Sequence, residues 1–272
     1  MQPSGILTLT TDFGHTDSYV GIMKGVVLGI CPTAQIVDIT HAITPQDTHQ
    51  AAYMIQTFYR FFPAGTVHVI VVDPGVGGGR RAIALETPEA LFVAPDNGVL
   101  TYIWREALAR WGGAGVATYE LTEQRFWLKS VSSTFHGRDI FAPVAAHLAR
   151  GTPVAALGPV IDAPVEATLE QPSVGWRGEL VGRIIHVDHF GNCITNITPE
   201  HLEQAALNKQ FVIEIIDERL HGVVRTYADG QPGELIALFG SSERLELVVR
   251  NGSAARLLGV SIGDTVRIRA SN

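Results

Sequence analysis

The chain has 272 residues with a formal net charge of -7 at pH 7, and 46% of its residues are hydrophobic while 17% are charged. This composition supports a sizeable packed core, argues against disorder, and provides no cluster of lysines and arginines of the kind that nucleic-acid-binding surfaces need. No basic-then-apolar leader opens the chain, its two cysteines lie far apart, and its apolar runs are too short to cross a bilayer, so we expect a cytoplasmic protein with reduced thiols and no membrane partner.

The first half of the chain alternates patterns typical of strands with patterns typical of helices. Strands are predicted at Ile6–Thr11, Ile36–Thr40, Val67–Val72, Ala82–Glu86 and Leu91–Ala94. Helices are predicted at Tyr19–Ile30, Thr48–Phe62, Val99–Trp111 and Arg138–Arg150. Such interleaving predicts an N-terminal α/β domain over residues 1–160, with a mostly parallel sheet and helices on both faces.

The second half has a different character. From Gly151 to Gly178 the chain carries four prolines without a clear period, and residues 161–178 are expected to form a linker. Strands are then predicted at Glu179–Val187, Phe211–Ile216, Gly222–Tyr227, Leu235–Phe239, Leu245–Val249 and Asp264–Ile268, with a short helix at Pro199–Leu207. Short strands separated by turns predict a smaller C-terminal β-barrel domain over residues 179–272, although a sandwich fits the same pattern.

A glycine-rich turn follows the buried strand that ends at Val72. Asp73 opens this turn, and Arg80 and Arg81 close it. Ligands of open α/β sheets collect at the carboxyl ends of the strands, and both arginines can reach back toward the carboxylate. The alternative is a tight turn with a structural Asp–Arg pair. The turn is neither a Walker loop nor a G-x-G-x-x-G fingerprint.

Two further residues and one short stretch in the first half are candidates for a catalytic or ligand-binding role. Asp12 ends the first strand, where a carboxylate can accept both hydroxyls of a ribose; capping of a helix is the alternative. His136 begins a helix and is either a general base, orienter or pH switch, or a structural histidine. Residues 95–98 (Pro-Asp-Asn-Gly) favour turn chemistry over a ligand set.

One loop of the second half mixes several ligand types. His186 and Asp188 would share a face of a strand, so a metal site is conceivable, but no further ligands follow at a recognisable spacing. A polar loop that binds a small molecule through Asp188 and Asn192, with Phe190 as a flat apolar surface, accounts for the same residues more simply.

Taken together, several segments resemble one protein family along nearly the whole chain. These segments are Leu9–Gly14, Met23–Val26, Ile36–His41, Asp73–Arg80, Ala94–Gly98, Thr134–Phe141, Phe190–Asn192 and Thr195–Ile197. In this order and spacing they closely resemble the S-adenosylmethionine hydroxide adenosyltransferase family, which is related to the bacterial fluorinase and chlorinase.

The resemblance implies a catalytic set of Asp73, Arg80 and His136 that holds and activates a water molecule. Arg80 is preferred over Arg81 because it has the family's spacing from the aspartate. The fluorinase has another residue at the position of His136 and a serine at that of Gly137, so this chain has the hydrolase pattern at both positions.

The resemblance also implies substrate-binding residues. Asp12 matches the ribose-binding carboxylate, Asp188 and Ser241 match the residues that bind the methionine part, and Asn192 matches the adenine-binding asparagine. Aromatic rings at Phe190 and Tyr227 are expected beside the adenine. The stretch around Ser241 departs from the family, because it lacks the usual asparagine before the serines and the glycine after them.

The implied reaction is hydrolysis of S-adenosylmethionine to adenosine and L-methionine, by in-line attack of water or hydroxide on the ribose C5′. It needs neither a metal nor a cofactor, because S-adenosylmethionine is itself the substrate. The alternatives are a chlorinase-like halogenase, a non-catalytic module that binds S-adenosylmethionine or adenosine, and a metal-dependent hydrolase. The resemblance also implies a homotrimer with its sites between subunits.

Overall fold

The computed structural model describes residues 2–175, 178–207 and 210–271. The chain divides into two compact units, Met1–Thr168 and Leu169–Asn272. Within the described residues, no helix is both long enough and apolar enough to cross a membrane.

The first unit is built on one mixed sheet of seven strands. In chain order the strands are β1 Ile6–Thr11, β2 Gln35–Thr40, β3 Thr66–Val71, β4 Ala82–Glu86, β5 Ala90–Pro95, β6 Ala117–Glu120 and β7 Val160–Ile161. They lie in the order β2-β1-β3-β5-β4-β6-β7. The four strands from β2 to β5 run parallel to their neighbours, whereas β4, β6 and β7 add antiparallel pairs.

Four helices cover the two faces of this sheet. They are α1 Tyr19–Ile30, α2 Thr48–Phe58, α3 Thr101–Trp111 and α4 Ala142–Ala149. Successive side chains of a strand point to opposite faces. Val67 and Val69 of β3 therefore pack with α1 and α4, whereas Ile70 packs with α2 and α3. The structure thus confirms the predicted α/β layering, with helices on both faces of the sheet.

Two of the predicted helices end or begin differently from the sequence pattern. The pattern at Thr48–Phe62 ends as α2 at Phe58, and a single 3-10 turn continues it over Tyr59–Phe61. The predicted helix at Arg138–Arg150 begins instead with a π-helical turn at Gly137–Phe141, before α4. Pro143, near the start of α4, has no backbone N–H to donate, and π-turns within helices are frequent at functional sites.

The second unit is an antiparallel, nearly closed barrel. Its strands are β8 Ser173–Val174, β9 Leu180–Val187, β10 Cys193–Thr195, β11 Phe211–Ile215, β12 Glu218–His221, β13 Leu235–Phe239, β14 Leu245–Val249 and β15 Thr265–Ala270. They lie in the order β12-β11-β15-β9-β10-β14-β13, with β8 added to β9. Just after β12, the N–H of Val224 donates to the carbonyl of Ala237 on β13. This hydrogen bond connects the first and last strands of the order and so nearly closes the barrel.

Two short helices, α5 Pro199–Gln204 and α6 Ala254–Leu258, pack on this barrel and complete its apolar core. The predicted barrel is confirmed. The predicted strand at Gly222–Tyr227 is wrong, because the edge strand ends at His221 and residues 222–226 form a loop. The carboxylate of Asp229 accepts hydrogen bonds from the N–H groups of Arg225 and Thr226, a local arrangement that competes with strand pairing.

Candidate active site

The parallel half of the first sheet brings two carboxylates to one edge. Asp12 follows β1, and Asp73 follows β3 after Val72. β1 and β3 are neighbours, with Thr11 in register with Val71. Because adjacent strands lie about 4.8 Å apart, the two turns that carry the aspartates emerge side by side.

Asp73 is held by Arg80 at the other end of the glycine-rich turn. Arg80 Nε lies 3.0 Å from each carboxylate oxygen of Asp73, and its Nη2 also contacts Oδ2. Only 11% of the Arg80 side chain and 5% of the Asp73 side chain are exposed. The guanidinium also stacks 5.2 Å from the ring centroid of Phe141, in the π-turn. A fork-like pair with this degree of burial fixes the arginine in direction as well as in charge.

His136 completes the cluster through the same arginine. Arg80 Nη2 lies 2.8 Å from His136 Nδ1. Since a guanidinium can only donate, Nδ1 accepts this hydrogen bond, and the neutral ring carries its proton on Nε2. Burial and the positive charge of Arg80 lower the pKa of His136, while Asp73 and Asp139 oppose the shift. The structure therefore favours a neutral histidine that donates from Nε2.

A close backbone contact brings the glycine-rich turn to the His136 segment. Gly77 has a φ of 75°, and a Cβ at this position would lie 2.1 Å from the carbonyl oxygen of Ser133. Asp139 fixes the same segment from inside: it is fully buried and accepts hydrogen bonds from Ser132 N and from the Arg138 guanidinium. The Arg138–Asp139 pair therefore helps to fix the segment that carries His136.

Residues behind the turn hold it in place. Arg81 does not reach Asp73, contrary to one possibility in the sequence; it pairs with the buried carboxylate of Asp96 instead. Asn97 Nδ2 donates to the carbonyl of Val72 at 2.9 Å, immediately before Asp73. The Asp96–Asn97 stretch makes a turn, as predicted, and it also supports both ends of the Asp73–Arg80 pair.

A cavity of about 610 Å³ opens onto this cluster. Asp12, Asp73 and His136 all line it. The aromatic rings of Phe13, Tyr19 and Phe135 line it as well. Phe135 contacts the other two rings edge-on, and the rings of Phe13 and Tyr19 are tilted by 60°. The Asp12 carboxylate accepts a hydrogen bond from Gln46 N at 2.8 Å through Oδ2. The first unit thus combines an aromatic surface with a polar cluster in one cavity.

The second unit has a cavity of its own, of about 790 Å³, lined by four of the predicted binding residues, Asp188, Phe190, Asn192 and Tyr227. Asp188 accepts hydrogen bonds from the N–H groups of Phe190 and Asn192 and from Asn192 Nδ2, at 2.8–2.9 Å. Phe190 and Tyr227 are 74% and 47% exposed. Ser241 is exposed in the turn after β13 and is not among the described residues that line this cavity.

A carboxyl group that the sequence analysis missed lies beside this cavity. Glu246 of β14 is buried and accepts a hydrogen bond from the Tyr227 hydroxyl at 3.2 Å. Burial raises the pKa of Glu246; the Tyr227 hydrogen bond opposes this shift, and the charge of Asp188 adds to it. Glu246 interrupts an otherwise apolar strand, a signal that was available in the sequence. Over the described ranges, no group of three or more His, Cys, Asp or Glu side chains is arranged to hold a metal ion.

Comparison with known proteins identifies the family. Residues 7–158 match the N-terminal domain of SAM hydroxide adenosyltransferases, and residues 182–267 match the C-terminal domain. The chain belongs to this family. The N-terminal match includes Asp12 and the cluster of Asp73, Arg80 and His136, and the C-terminal match includes the second cavity.

Relatives of the SAM hydroxide adenosyltransferase family match the chain over nearly its full length. An (R)-S-adenosyl-L-methionine hydrolase from Salinispora tropica is 39% identical, over 99% of this chain and 100% of the relative. A fluorinase from an Actinoplanes species is 31% identical, over 97% of each chain. A crystal structure of a conserved protein from Thermotoga maritima superposes with a TM-score of 0.87 at 35% identity, over 97% of this chain and 99% of that one.

Proposed function

We propose that this protein hydrolyses S-adenosylmethionine to adenosine and L-methionine. The observation that carries the proposal is the Asp73–Arg80–His136 cluster, of which Asp73 and His136 line one cavity with Asp12. Similarity to S-adenosyl-L-methionine hydrolases over the full chain supports the same reaction. A protein that only binds the substrate has no need for a partly buried, oriented arginine–histidine pair.

The chemistry of the substrate determines what the site must supply. A water oxygen forms a bond to the ribose C5′, the C5′–sulfur bond breaks with its electron pair going to sulfur, and a proton is released. Methionine leaves as a neutral thioether, so no general acid is needed for it. Positioning of the nucleophile in line with the C5′–sulfur bond therefore dominates. Hydroxide attack on a sulfonium cancels charge, which a water-poor cavity favours.

The three residues divide this task. The fixed positive charge of Arg80 stabilises hydroxide character on the attacking water, and His136 donates a hydrogen bond to it from Nε2. Asp73 is the anionic member of the set, so it orients Arg80 and accepts the proton. No step passes through a metal or a cofactor.

Substrate binding is assigned to residues of both units. Asp12 holds the ribose hydroxyls with the carboxylate oxygen that Gln46 leaves open. Asn192 recognises adenine beside the rings of Phe190 and Tyr227. Asp188 and Ser241 bind the methionine part. We assign Ser241 by family position alone, since it is exposed in its turn.

We further propose that the protein is a homotrimer whose sites each combine the first-unit cavity of one subunit with the second-unit cavity of the next. Light scattering measures the mass of the assembly. Mixing an Asp73→Ala variant with an Asn192→Ala variant under conditions of subunit exchange should restore part of the activity, because some sites then contain two intact halves. If the activity of the mixture is only the sum of the activities of the two separate variants, the sites are not shared between subunits.

The decisive experiment incubates the purified protein with S-adenosylmethionine in chloride buffer prepared with oxygen-18 water. Adenosine carrying the label at C5′, together with methionine, is the expected result. Chlorinated adenosine would instead identify a halogenase, a possibility that His136 and Gly137 disfavour because the fluorinase differs at both positions. Bound but intact substrate would indicate a binding module, and loss of turnover with a chelator would indicate a metal-dependent enzyme.

A further inference from the structure

A buried histidine, His41, lies just behind the turn that carries Asp12. His41 follows β2, and only 1% of its side chain is exposed. Its Nδ1 lies 2.8 Å from Thr11 Oγ1, and its Nε2 lies 3.1 Å from Asp38 Oδ1. Lys24 Nζ lies 2.5 Å from the other oxygen of Asp38. The four side chains form one chain of contacts that runs from the surface to the end of β1.

The donors and acceptors in this series of contacts determine which nitrogen of His41 carries the proton. Phe13 N–H donates to Thr11 Oγ1 at 3.2 Å, and the same oxygen lies 2.8 Å from His41 Nδ1. The Asp38 carboxylate lies 3.1 Å from His41 Nε2 and favours the ring proton on that nitrogen, although the geometry is not that of a hydrogen bond. Nδ1 then accepts from the Thr11 hydroxyl. Burial lowers the pKa of His41, although Asp38 opposes this shift, and a neutral ring fits this assignment.

The arrangement of threonine, histidine and aspartate has the order of a nucleophilic triad, but it does not act as one. Thr11 is fully buried, and its hydroxyl is used on both sides. A substrate therefore has no access to Thr11 Oγ1.

The backbone around Asp12 depends on this histidine. The side chain of His41 holds Thr11, which in turn holds Phe13, and the carbonyl of His41 accepts a hydrogen bond from Gly14 N at 2.7 Å. The same loop reaches Asp12 again through Gln46 N, and Gln46 has a φ of 68°, which is uncommon for a residue with a side chain. The residues on both sides of Asp12 are thus fixed from the loop that begins at His41.

We propose that His41, oriented by Asp38, is a positioning residue that aims the Asp12 carboxylate at the ribose hydroxyls. This inference rests on the proposed function, because it requires that Asp12 binds the ribose. The Lys24–Asp38 contact is half-exposed and sets the direction of Asp38 more than it adds stability.

The chain provides a matched control in a second buried threonine–histidine pair of the same sheet. His68 is also fully buried, and its Nδ1 lies 2.8 Å from Thr8 Oγ1, but this pair lies inside the sheet and packs against Phe92. Replacement of either histidine by phenylalanine removes one buried hydrogen bond. Only the change at His41 should affect Asp12.

The test measures binding of adenosine, 2′-deoxyadenosine and 3′-deoxyadenosine by calorimetry, for the wild type, His41→Phe and His68→Phe. In His41→Phe we expect the affinity for adenosine to fall roughly tenfold or more, while affinity for at least one deoxy analogue changes less than about threefold. In His68→Phe the three ligands should change by a common factor. Asp38→Asn should reproduce the pattern of His41→Phe more weakly, with the fold retained.

Equal losses for all three ligands in His41→Phe, or no loss for adenosine, would overturn the proposal. Turnover of S-adenosylmethionine by the wild type tests the proposed function separately. A wild type that binds adenosine without hydrolysing the substrate would refute the hydrolase and leave the His41 comparison valid. A wild type that hydrolyses S-adenosylmethionine but does not bind adenosine would keep the hydrolase and overturn the His41 proposal.

Discussion

Replacement of Gly77 by alanine should disturb the Asp73–Arg80–His136 cluster without changing any of its side chains. The new Cβ would lie 2.1 Å from the carbonyl oxygen of Ser133, so the turn and the His136 segment must separate by about 1 Å to regain ordinary contact. A left-handed backbone costs a residue with a side chain about 1–2 kcal/mol, and overpacking adds about 1–3 kcal/mol. A shift of about 1 Å between Arg80 and His136 corresponds to a loss of roughly a hundredfold in kcat.

Gly79→Ala is the control, because it adds the same methyl group to the same turn. No atom lies within 4 Å of its added Cβ, and Gly79 has no positive φ. Chromatographic measurement of adenosine release should give nearly wild-type kcat for Gly79→Ala and a loss of about a hundredfold for Gly77→Ala, with KM changed less and Tm lowered by several degrees. Equal activity of the two variants would refute the view that this contact sets the geometry of the cluster.

The remaining predictions concern charge and protonation. Arg80→Lys keeps the positive charge but loses the planar guanidinium that donates two hydrogen bonds at once. Steady-state kinetics should therefore show kcat reduced by about 10²–10³ with a smaller change in KM. A loss confined to KM would mean that Arg80 only binds substrate. His136 must be neutral to accept a hydrogen bond from Arg80 while it donates from Nε2. Because the pKa of His136 is lowered, the acidic limb of the plot of kcat against pH should have its midpoint below pH 6.5. A midpoint above 6.5 would contradict this assignment. Burial lowers the pKa of His68 to about 3, whereas an unfolded histidine takes up its proton near 6.5. Folding stability should therefore fall as pH falls from about 6.5 toward 3, by up to roughly 5 kcal/mol, and denaturant titrations of a Thr8→Val/His68→Phe variant should show a flatter pH dependence.

Much of the fold was predictable because the apolar periodicity of long elements is strong. The bounds of Ile6–Thr11 and Tyr19–Ile30 agree with the sequence pattern. Short strands such as Cys193–Thr195 have too few residues to show an alternation, so they were missed. The strand predicted at Gly222–Tyr227 failed because its β-branched residues belong to a loop that covers the barrel, where Val224 packs on an outer apolar cluster.

The site was predictable only in part, for a different reason. Asp73 and Arg80 are only seven residues apart, so a local sequence pattern can indicate that they pair. The structure places His136 beside Arg80, as the resemblance implies. The roles of Asn97 and His41 depend on contacts between distant segments, which no local pattern encodes. Without the family resemblance, the grouping of Asp12 with Asp73 would have rested on strand order alone.

The π-turn at Gly137–Phe141 has a consequence for how the chain acquires its activity. The Asp73–Arg80 pair closes a loop of only seven residues, but Arg80 and His136 are 56 residues apart in sequence. His136 immediately precedes the π-turn, and Phe141 at its end covers the Arg80 guanidinium. Contacts between residues far apart in sequence form late in folding, because the entropy cost of closing the intervening loop comes before the favourable energy of the contact. A nascent chain can therefore form the Asp73–Arg80 ion pair early, whereas His136 joins this pair only once α4 docks on the sheet.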